Sequence, residues 1–311
     1  MKELHRLMDK LITNIAKVII GKEDIIKHVL ITFLCQGHIL IEDVPGMGKT
    51  MIVRSLARSL GCTFSRIQFT PDLMPSDVTG VNIFDQKTSE FAFYPGPIFN
   101  QMILADEINR ATPKTQASLL ESMEERQVTV DGVSHPLPKP FMLLATQNPL
   151  EYAGTFPLPE AQLDRFLIKT KLGYPTYEYE IQILKRLVQF SSLEEIQPVL
   201  TMEEVFHMQQ KVKETYADDA ILDYIVRLVE ATRSHREVLL GASPRGSISL
   251  LVTAKALAAL EGRDFVLPDD VRAMAIPTLG HRIILKRDAF VKKLDQEAII
   301  REVLDTVPFK Q

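Results

Sequence analysis

Two glycines, a lysine and a threonine stand close together in the stretch ILIEDVPGMGKTMIVRSL, which covers residues 39–56. A phosphate-binding loop needs inward-facing backbone N–H groups, small residues where the phosphate approaches, a lysine for its charge and a hydroxyl for Mg²⁺. Gly46 and Gly48 supply the small positions, and Lys49 and Thr50 begin a predicted helix. A lysine at a helix start opposes the helix dipole unless an anion is bound there. The stretch therefore favours a nucleotide site over an ordinary strand–turn–helix connection.

The loop departs from the general pattern G-x-x-x-x-G-K-[ST] at its first position, where this chain has Asp43. Backbone groups from about Pro45 through Thr50 would surround the phosphate, so residue 43 falls at the rim and a working site is expected. We predict nucleotide contacts from the consecutive residues Val44, Pro45, Gly46, Met47, Gly48, Lys49, Thr50 and Met51.

An apolar run ends in two acidic residues in the segment QMILADEINRA, which starts at residue 101. Asp106 would hold Mg²⁺ through water, Thr50 would bind the same ion, and Glu107 would orient and polarise the attacking water. Two solvated acids at a strand end are the alternative interpretation. The pair follows the phosphate loop after one strand–helix unit, and this order favours the catalytic interpretation.

Three further polar residues are candidates for contact with the γ-phosphate. Asn148 follows the apolar run FMLLAT, although a simple turn before Pro149 explains these residues equally well when they are taken alone. Arg165 follows Asp164 at a strand start, where it is either half of an ion pair or an arginine finger for a neighbouring subunit. Arg245 lies in the first turn of a predicted helix and opposes its dipole unless an anion is near. A nucleotide held between two domains would be that anion.

These residues need a scaffold, and five apolar runs predict its strands. The runs are HILIE (38–42), FSRIQF (64–69), QMILAD (101–106), FMLLAT (141–146) and RFLIKT (165–170). Nearly continuous apolar runs are typical of strands that are covered on both faces. Because helical patterns alternate with the runs, we predict an α/β fold with a mainly parallel sheet and helices on both faces.

The chain divides into two predicted domains. Residues 1–173 form the nucleotide-binding α/β domain, interrupted by β-prone segments at about 76–99 and about 125–141. The second interruption contains Asp131-Gly132, a hairpin signal. Amphipathic helical patterns dominate residues 174–311, which predicts a small helical bundle.

Composition narrows the classes of protein. Of 311 residues, 46% are hydrophobic and 24% charged, and the net charge of −4 comes without a Lys/Arg block that would favour nucleic acid. Cys35 and Cys62 lack metal-ligand spacing, so free thiols are favoured over a disulfide. No apolar stretch approaches the ~20 residues of a membrane span, and no signal-peptide core is present. A reduced, cytoplasmic protein is expected.

The order of these motifs resembles that of an AAA+ ATPase, and the segments resemble the MoxR family in particular. The matching segments are EDVPGMGKT, FTPDLMPSDVTG, GPIF, LADEINRATPKTQASLLESMEERQVTVDG, ATQNP, GTFPLPEAQLDRF and GASPRG. They span residues from about 40 to 246. The resemblance implies a P-loop AAA+ sheet followed by a small all-α lid, and Mg²⁺-dependent binding and hydrolysis of ATP to ADP in a ring, expected to be a hexamer.

The resemblance also implies roles that the residues alone do not establish. Arg165 would act in trans on a neighbour's nucleotide, and Arg245 would contact the γ-phosphate of its own subunit. Ile20 and Gly21 would lie near the adenine, although IIG by itself equally indicates a helix-ending glycine. An aspartate at position 43 would be ordinary, and both interruptions would face the pore of the ring. Partners would be separate client or adaptor chains, often with a von Willebrand factor A domain, and the work would be chaperone-like.

Three other functions are compatible with a phosphate loop: a nucleic-acid motor, a kinase or GTPase, and a non-hydrolysing scaffold. A nucleic-acid-directed ring motor would use similar pore hairpins, but this hairpin offers just His135 and Lys139 as cations, which is weak for phosphate contacts. A small-molecule kinase or a GTPase would share the phosphate loop alone, and no Asn-Lys-x-Asp guanine signature occurs. A non-hydrolysing scaffold is disfavoured because Lys49, Asp106 and Glu107 are all present.

Overall fold

The structure is a computed structural model that describes residues 2–42, 47–149, 154–188 and 193–310. Its strands are β1 (Ile39–Glu42), β2 (Phe64–Gln68), β3 (Gly80–Asp85), β4 (Glu90–Pro95), β5 (Met102–Asp106), β6 (Gln127–Val130), β7 (Val133–Pro136), β8 (Met142–Gln147), β9 (Ile168–Lys171), β10 (Val238–Leu240) and β11 (Ile284–Leu285). Its helices are α1 (Lys2–Ala16), α2 (Glu23–Leu34), α3 (Lys49–Leu60), α4 (Pro75–Thr79), α5 (Pro113–Glu125), α6 (Glu160–Leu163), α7 (Tyr177–Val188), α8 (Met202–Glu214), α9 (Asp219–Ser234), α10 (Pro244–Leu260), α11 (Pro268–Leu279), α12 (Arg287–Val291) and α13 (Gln296–Thr306).

A five-stranded sheet, in the order β2-β5-β8-β1-β9, forms the centre of the first half of the chain. All four pairings are parallel, and each strand overlaps one of the five predicted apolar runs, with β8 and β9 extending one residue beyond theirs. The predicted parallel sheet is therefore confirmed. Parallel strands end at the same edge, so the ends of β1, β5 and β8 meet at one edge of the sheet, together with Glu107 after β5 and Asn148 after β8.

Helices cover both faces of this sheet because alternate strand residues point to opposite sides. Leu104 and Leu144 belong to one apolar core, in which residues of α2 and α3 also pack. Ile103 and Leu143, one position earlier on each strand, belong to a second core that includes Leu119 of α5. The near-continuous apolar runs thus supply two cores at once, which is why they lack simple alternation.

The two segments that interrupt the alternation form antiparallel hairpins, β3–β4 and β6–β7. The turn of the second hairpin is Asp131-Gly132, whose φ angles of 49° and 80° suit a two-residue turn of the type that Asp-Gly favours. The Asn82 side chain donates a hydrogen bond to Asp131 at 2.8 Å and joins the hairpins. They therefore lie side by side.

After β9 the described chain is mainly helical, as predicted for a lid. A short antiparallel ribbon, β10–β11, adds strands that the sequence patterns do not predict. The helical part is not isolated, because Leu228 and Leu250 share one apolar core with α1 and α2. Among the described residues, no helix is long and apolar enough to cross a membrane. Both cysteines are free thiols.

Candidate active site

A cleft of about 350 Å³ opens at the carboxyl edge of the sheet. It is lined by residues from the start of α3, from β2 and from the end of β5. These residues are Met47, Gly48, Lys49, Thr50, Met51, Arg54, Arg66, Gln68, Asp106 and Glu107. The predicted phosphate loop and the predicted acidic pair therefore share one cleft.

The described part of the phosphate loop leads directly into α3. Gly48 precedes the helix with φ +84°, and a Cβ there would meet nothing within 4 Å, so the backbone angle rather than space favours glycine. Lys49 and Thr50 are the first two residues of α3, whose positive N-terminal end faces the cleft. The predicted contacts at Val44, Pro45 and Gly46, together with Asp43, lie outside the described residues.

Asp106 ends β5 and is held from two sides. Its Oδ1 accepts a hydrogen bond from Thr146 Oγ1 at 2.6 Å, and its Oδ2 accepts from Arg66 at 2.6 Å (Nη2) and 3.1 Å (Nε). Thr146 is fully buried on the neighbouring strand β8, so its hydroxyl fixes the orientation of the carboxylate. A guanidinium therefore faces the carboxylate that is predicted to bind metal.

Glu107 turns out of the strand with φ +58°, a backbone region that non-glycine residues seldom adopt. Its N–H donates to Thr146 Oγ1 at 2.9 Å. Its Oε2 accepts from Gln68 Nε2 at 2.9 Å and from Arg110 Nη1 at 3.1 Å. The strained backbone and three polar neighbours hold this carboxylate at the cleft, where an attacking water would need it.

The residues of the cleft fit a magnesium ion. Mg²⁺ prefers oxygen ligands, few of them from the protein, with the rest from water and substrate phosphates. Thr50 supplies a hydroxyl and Asp106 a carboxylate, and both line the cleft. The ion pair between Arg66 and Asp106 shows that a positive charge is accommodated at this carboxylate.

Asn148 lies at the same edge, directly after β8. Its backbone carbonyl accepts a hydrogen bond from the Asn109 side chain at 3.5 Å. It is not among the described residues that line the cleft. The structure brings its backbone to the predicted edge of the sheet.

Ile20 and Gly21 lie between α1 and α2, near the carboxyl end of β9. The neighbouring Lys22 ammonium donates to the carbonyls of Leu172 and Gly173, at 2.8 Å and 2.6 Å. A Cβ at Gly21 would lie 2.4 Å from the ring of Tyr179, and its φ is +65°. Glycine is thus required here by space as well as by backbone angle.

Arg165 and Arg245 lie together, at the opposite edge of the sheet. Both bind Glu124, at 3.2 Å from Arg165 Nη2 and 2.6 Å from Arg245 Nη2. The carbonyl of the preceding Met123 accepts from His38, which stands directly before β1. Four residue steps, about 13 Å, separate His38 from the end of β1, where the phosphate loop begins.

The structure does not bring Arg245 to the cleft of its own subunit, where a contact with the γ-phosphate is predicted. The expectation assumed that the helical part closes over the nucleotide. Instead, the start of α10 is held at the amino edge by Glu124 and, at 3.9 Å, by Asp164. The anion that neutralises Arg245 at the positive end of α10 is therefore a carboxylate of the same subunit.

Several contact residues were not singled out from the sequence: Arg66, Gln68, Arg110, Glu124 and Thr146. Arg66 and Gln68 carry a usable signal, because two polar side chains two positions apart in a strand point to the same face. Their partners Asp106 and Glu107 become evident once β2 is paired with β5.

Comparison with known protein families agrees with this geometry. The model of the ATPase family associated with various cellular activities (AAA) matches residues 38–168. A model of the AAA lid domain matches residues 230–303. The matched ranges include the five-stranded sheet up to the start of β9, and the helical part from the end of α9 into α13.

Full-length relatives narrow the assignment. The uncharacterized protein YeaC of Bacillus subtilis is 51% identical over 98% of this chain and 96% of its own length. The chaperone MoxR1 of Mycobacterium tuberculosis is 41% identical over 99% of this chain and 84% of its own length. The crystal structure of a candidate ATPase from Cytophaga hutchinsonii matches with a TM-score of 0.93 and 38% identity, over 99% of this chain and 96% of that one. This chain therefore belongs to the MoxR type of AAA+ ATPases, enzymes that convert ATP and water into ADP and phosphate.

Proposed function

We propose that this ATPase works as a ring, most simply a hexamer, with each nucleotide held between two subunits. The separation of the site residues carries this proposal. Lys49, Asp106 and Glu107 lie at the carboxyl edge of the sheet, whereas Arg165 and Arg245 lie at the amino edge. One subunit cannot bring both groups to one phosphate, but adjacent copies in a ring can.

Within one subunit, the cleft residues bind the phosphates and position the water. The Lys49 ammonium and the N-terminal end of α3 attract the phosphate oxygens. Thr50 and Asp106 would hold Mg²⁺, which offsets the charge on the phosphates. Glu107 accepts a hydrogen bond from the attacking water and orients its lone pair toward the γ-phosphorus. Asn148 supplies an amide at the same edge that can hold this water or a γ-oxygen.

The arginines complete the site of the neighbouring subunit. Charge accumulates on the γ-phosphate oxygens as the bond to the leaving group breaks, and a guanidinium stabilises that charge. Arg165 and Arg245 are 30% and 47% exposed at their side chains, so both are accessible to another copy. Turnover should consequently depend on assembly.

The adenine is proposed to lie beside Ile20 and Gly21. A cleft of about 290 Å³ at this point is lined by Gly21, Lys22, Leu172 and Tyr179, among others. It sits at the carboxyl end of β9, the strand next to β1. A nucleotide with its phosphates on the loop after β1 could extend toward it along the same edge.

We further propose chaperone-like remodelling of client proteins. The β3–β4 hairpin exposes large apolar side chains, with Phe91 72% and Tyr94 53% exposed. Such a surface suits contact with a polypeptide. The relative MoxR1 is named a chaperone. Clients or adaptors, including proteins with von Willebrand factor A domains, would be separate chains.

The alternative of a nucleic-acid motor gains little support. In the β6–β7 hairpin the His135 ring stacks on Phe93, with ring centroids 3.9 Å apart. That contact ties the imidazole to the neighbouring hairpin and leaves Lys139 as the remaining candidate cation. Salt-dependent stimulation of ATP hydrolysis by single-stranded DNA would favour the motor.

A mixing experiment tests the ring. Lys49→Ala should abolish nucleotide binding, and Arg165→Ala should bind ATP but turn it over slowly. In a mixed ring, a Lys49→Ala subunit can offer its intact Arg165 to the nucleotide of an Arg165→Ala neighbour. Phosphate release by the mixture should exceed the sum of the two variants measured separately.

The control is a double variant that carries both Lys49→Ala and Arg165→Ala, mixed with the Lys49→Ala single variant. Neither protein in this mixture can bind ATP. That mixture should stay inactive. If the first mixture also shows no gain while both variants assemble, action in trans is excluded.

A further inference from the structure

We infer that Arg165 and Arg245 form one anion-binding site, that Glu124 is its internal ligand, and that the terminal phosphate of a neighbouring subunit's nucleotide replaces Glu124 on assembly. The inference rests on the proposed ring. It assigns a competing role to a residue that touches neither the described part of the phosphate loop nor the acidic pair of its own subunit.

Each oxygen of the Glu124 carboxylate pairs with a different arginine. Oε1 accepts from Arg245 Nη2 at 2.6 Å, and Oε2 lies 3.2 Å from Arg165 Nη2. A phosphate presents its oxygens to two guanidinium groups in the same way. The two arginines come from distant parts of the chain, the segment between α6 and β9 and the start of α10. Their convergence on one carboxylate defines an anion site rather than two separate surface pairs.

Glu124 can be replaced as the anion bound to Arg165 and Arg245. The Glu124 side chain is 41% exposed, so its ion pairs are open to solvent and individually weak. The hydrogen bond from Arg245 holds the pKa of Glu124 below its usual range, which keeps the carboxylate charged and bound in the isolated subunit. A terminal phosphate carries more charge and more acceptor oxygens than one carboxylate, so it should win the exchange.

A rigid support lies behind the site. The Arg282 side chain is 2% exposed, and its Nε donates to Asp164 Oδ1 at 2.7 Å. Its Nη2 also donates to the Phe166 carbonyl at 2.8 Å. These bonds fix the backbone around Arg165 against the helical part. The arginine side chains can therefore change ligand without displacement of the segment that carries them.

The cluster is also unbalanced in charge. Asp164 pairs with Arg282 and, at 3.9 Å, with Arg245, whereas Glu124 pairs with Arg165 and Arg245. Two carboxylates facing three guanidinium groups leave one positive charge in this described cluster, which favours a further anion. When phosphate departs after hydrolysis, Glu124 can return and reset the site.

Glu124→Gln tests the inference, because it keeps the shape of the side chain and removes the charge. We expect the variant to assemble more readily when a non-hydrolysable ATP analogue is present. The subunit concentration at half-maximal assembly, measured by analytical ultracentrifugation, should fall about two- to tenfold. Without nucleotide, the variant should sediment like the wild type.

Glu125→Gln is the matched control. It lies next on the same helix, is exposed and makes the same change in charge. It should leave assembly unchanged. The effect of Glu124→Gln should also disappear in an Arg165→Ala, Arg245→Ala background, because no anion site remains there.

The outcomes separate the two proposals. Unchanged or weakened assembly of Glu124→Gln overturns the competing role. If that variant fails to fold, Glu124→Asp keeps the charge but draws the carboxylate back by one methylene, and a smaller shift in the same direction is expected. If the wild type stays monomeric in the presence of the ATP analogue, and Arg165→Ala hydrolyses ATP as fast as the wild type, the proposed ring is wrong. If Arg165→Ala loses turnover but Glu124→Gln assembles like Glu125→Gln, the proposed ring is supported and the competing role of Glu124 is wrong.

Discussion

Arg66 donates two hydrogen bonds to a single carboxylate oxygen of Asp106, at 2.6 Å from Nη2 and 3.1 Å from Nε. The same carboxylate is the proposed magnesium ligand. A guanidinium and a hydrated divalent cation would compete for this carboxylate, so we expect binding of the metal to weaken the contact with the arginine. The cleft thus carries its own counter-ion, as the arginine site at the opposite edge does with Glu124.

Arg66→Gln should therefore lower the Mg²⁺ concentration needed for nucleotide binding. The ion pair is partly exposed, with the arginine side chain at 46%, so its removal should change the half-saturating Mg²⁺ about two- to fivefold. Titration of Mg²⁺ at fixed ATP analogue, followed by the fluorescence of a labelled nucleotide, measures this shift.

Arg54→Gln is the control for Arg66→Gln. Arg54 lines the same cleft and carries the same charge, but among the described residues it forms no ion pair with Asp106. Arg54→Gln should change the half-saturating Mg²⁺ concentration less than Arg66→Gln does. A midpoint that rises in Arg66→Gln would mean that the arginine assists the metal rather than competes with it.

Thr146 should be a positioning residue for both acids. Its hydroxyl donates to Asp106 at 2.6 Å and accepts from the Glu107 N–H at 2.9 Å. Thr146→Val keeps the volume, removes both bonds and leaves a donor without its partner, which costs about 1–3 kcal/mol. We expect a lower turnover number with little change in affinity for the nucleotide analogue, measured by steady-state phosphate release and by equilibrium binding.

Thr146→Ser restores the hydroxyl and should recover most of the turnover. Equal losses in the serine and valine variants would show that the hydroxyl alone does not hold the two acids and that packing of the methyl group is needed as well. A large loss of nucleotide affinity in Thr146→Val would contradict the separation of binding from catalysis.

The sequence predicts the strands and the acidic pair well, for a physical reason. Continuous apolar runs can be buried on both faces in a parallel sheet, and the polar residues that follow them must lie at its carboxyl edge. Asp106 and Asn148 are placed by this rule alone. The order of the strands is not, because β1 pairs between β8 and β9, far from its neighbours in sequence.

Side-chain partners across elements are what the sequence leaves undetermined. Arg66 meets Asp106 because β2 pairs with β5 in the register that sets Gln68 opposite Asp106. The position of Arg245 at a helix start predicts a nearby anion, but it does not identify that anion. Glu124 lies at the end of a different helix, and the packing of the helical part selects it.

Acid should destabilise the fold through His38. Its buried ring lies between the Met123 carbonyl, at 3.2 Å from Nε2, and the Leu143 N–H, at 2.9 Å from Nδ1, so the ring fits with a proton on Nε2 alone. Burial lowers the pKa of His38 from 6.5 to about 4. The unfolded chain therefore binds a proton that the folded chain excludes between these values. Stability is full above about pH 6.5 and falls toward pH 4, by at most about 3 kcal/mol.

Urea unfolding of the wild type and of His38→Gln at several pH values measures this contribution. Glutamine stays neutral throughout, so the variant should lose less free energy of unfolding than the wild type between pH 7 and pH 4.5. His28 and His281, whose pKa values burial also lowers, act equally in both proteins. A constant difference between the two proteins across this range would exclude His38 as the source.

Gly21→Ala should reveal whether the adenine lies beside Tyr179. The added Cβ would fall 2.4 Å from the ring and displace it, whereas Gly173→Ala at φ +62° meets open space and tests backbone strain alone. If the base contacts this turn, Gly21→Ala should weaken ATP binding about tenfold, the loss of a ring contact. Binding of inorganic triphosphate, which has no base, should be unchanged. Calorimetric titration of both ligands into both variants makes the comparison. An equal loss for ATP and triphosphate would place the damage in the fold, and an unaltered ATP affinity would move the adenine elsewhere.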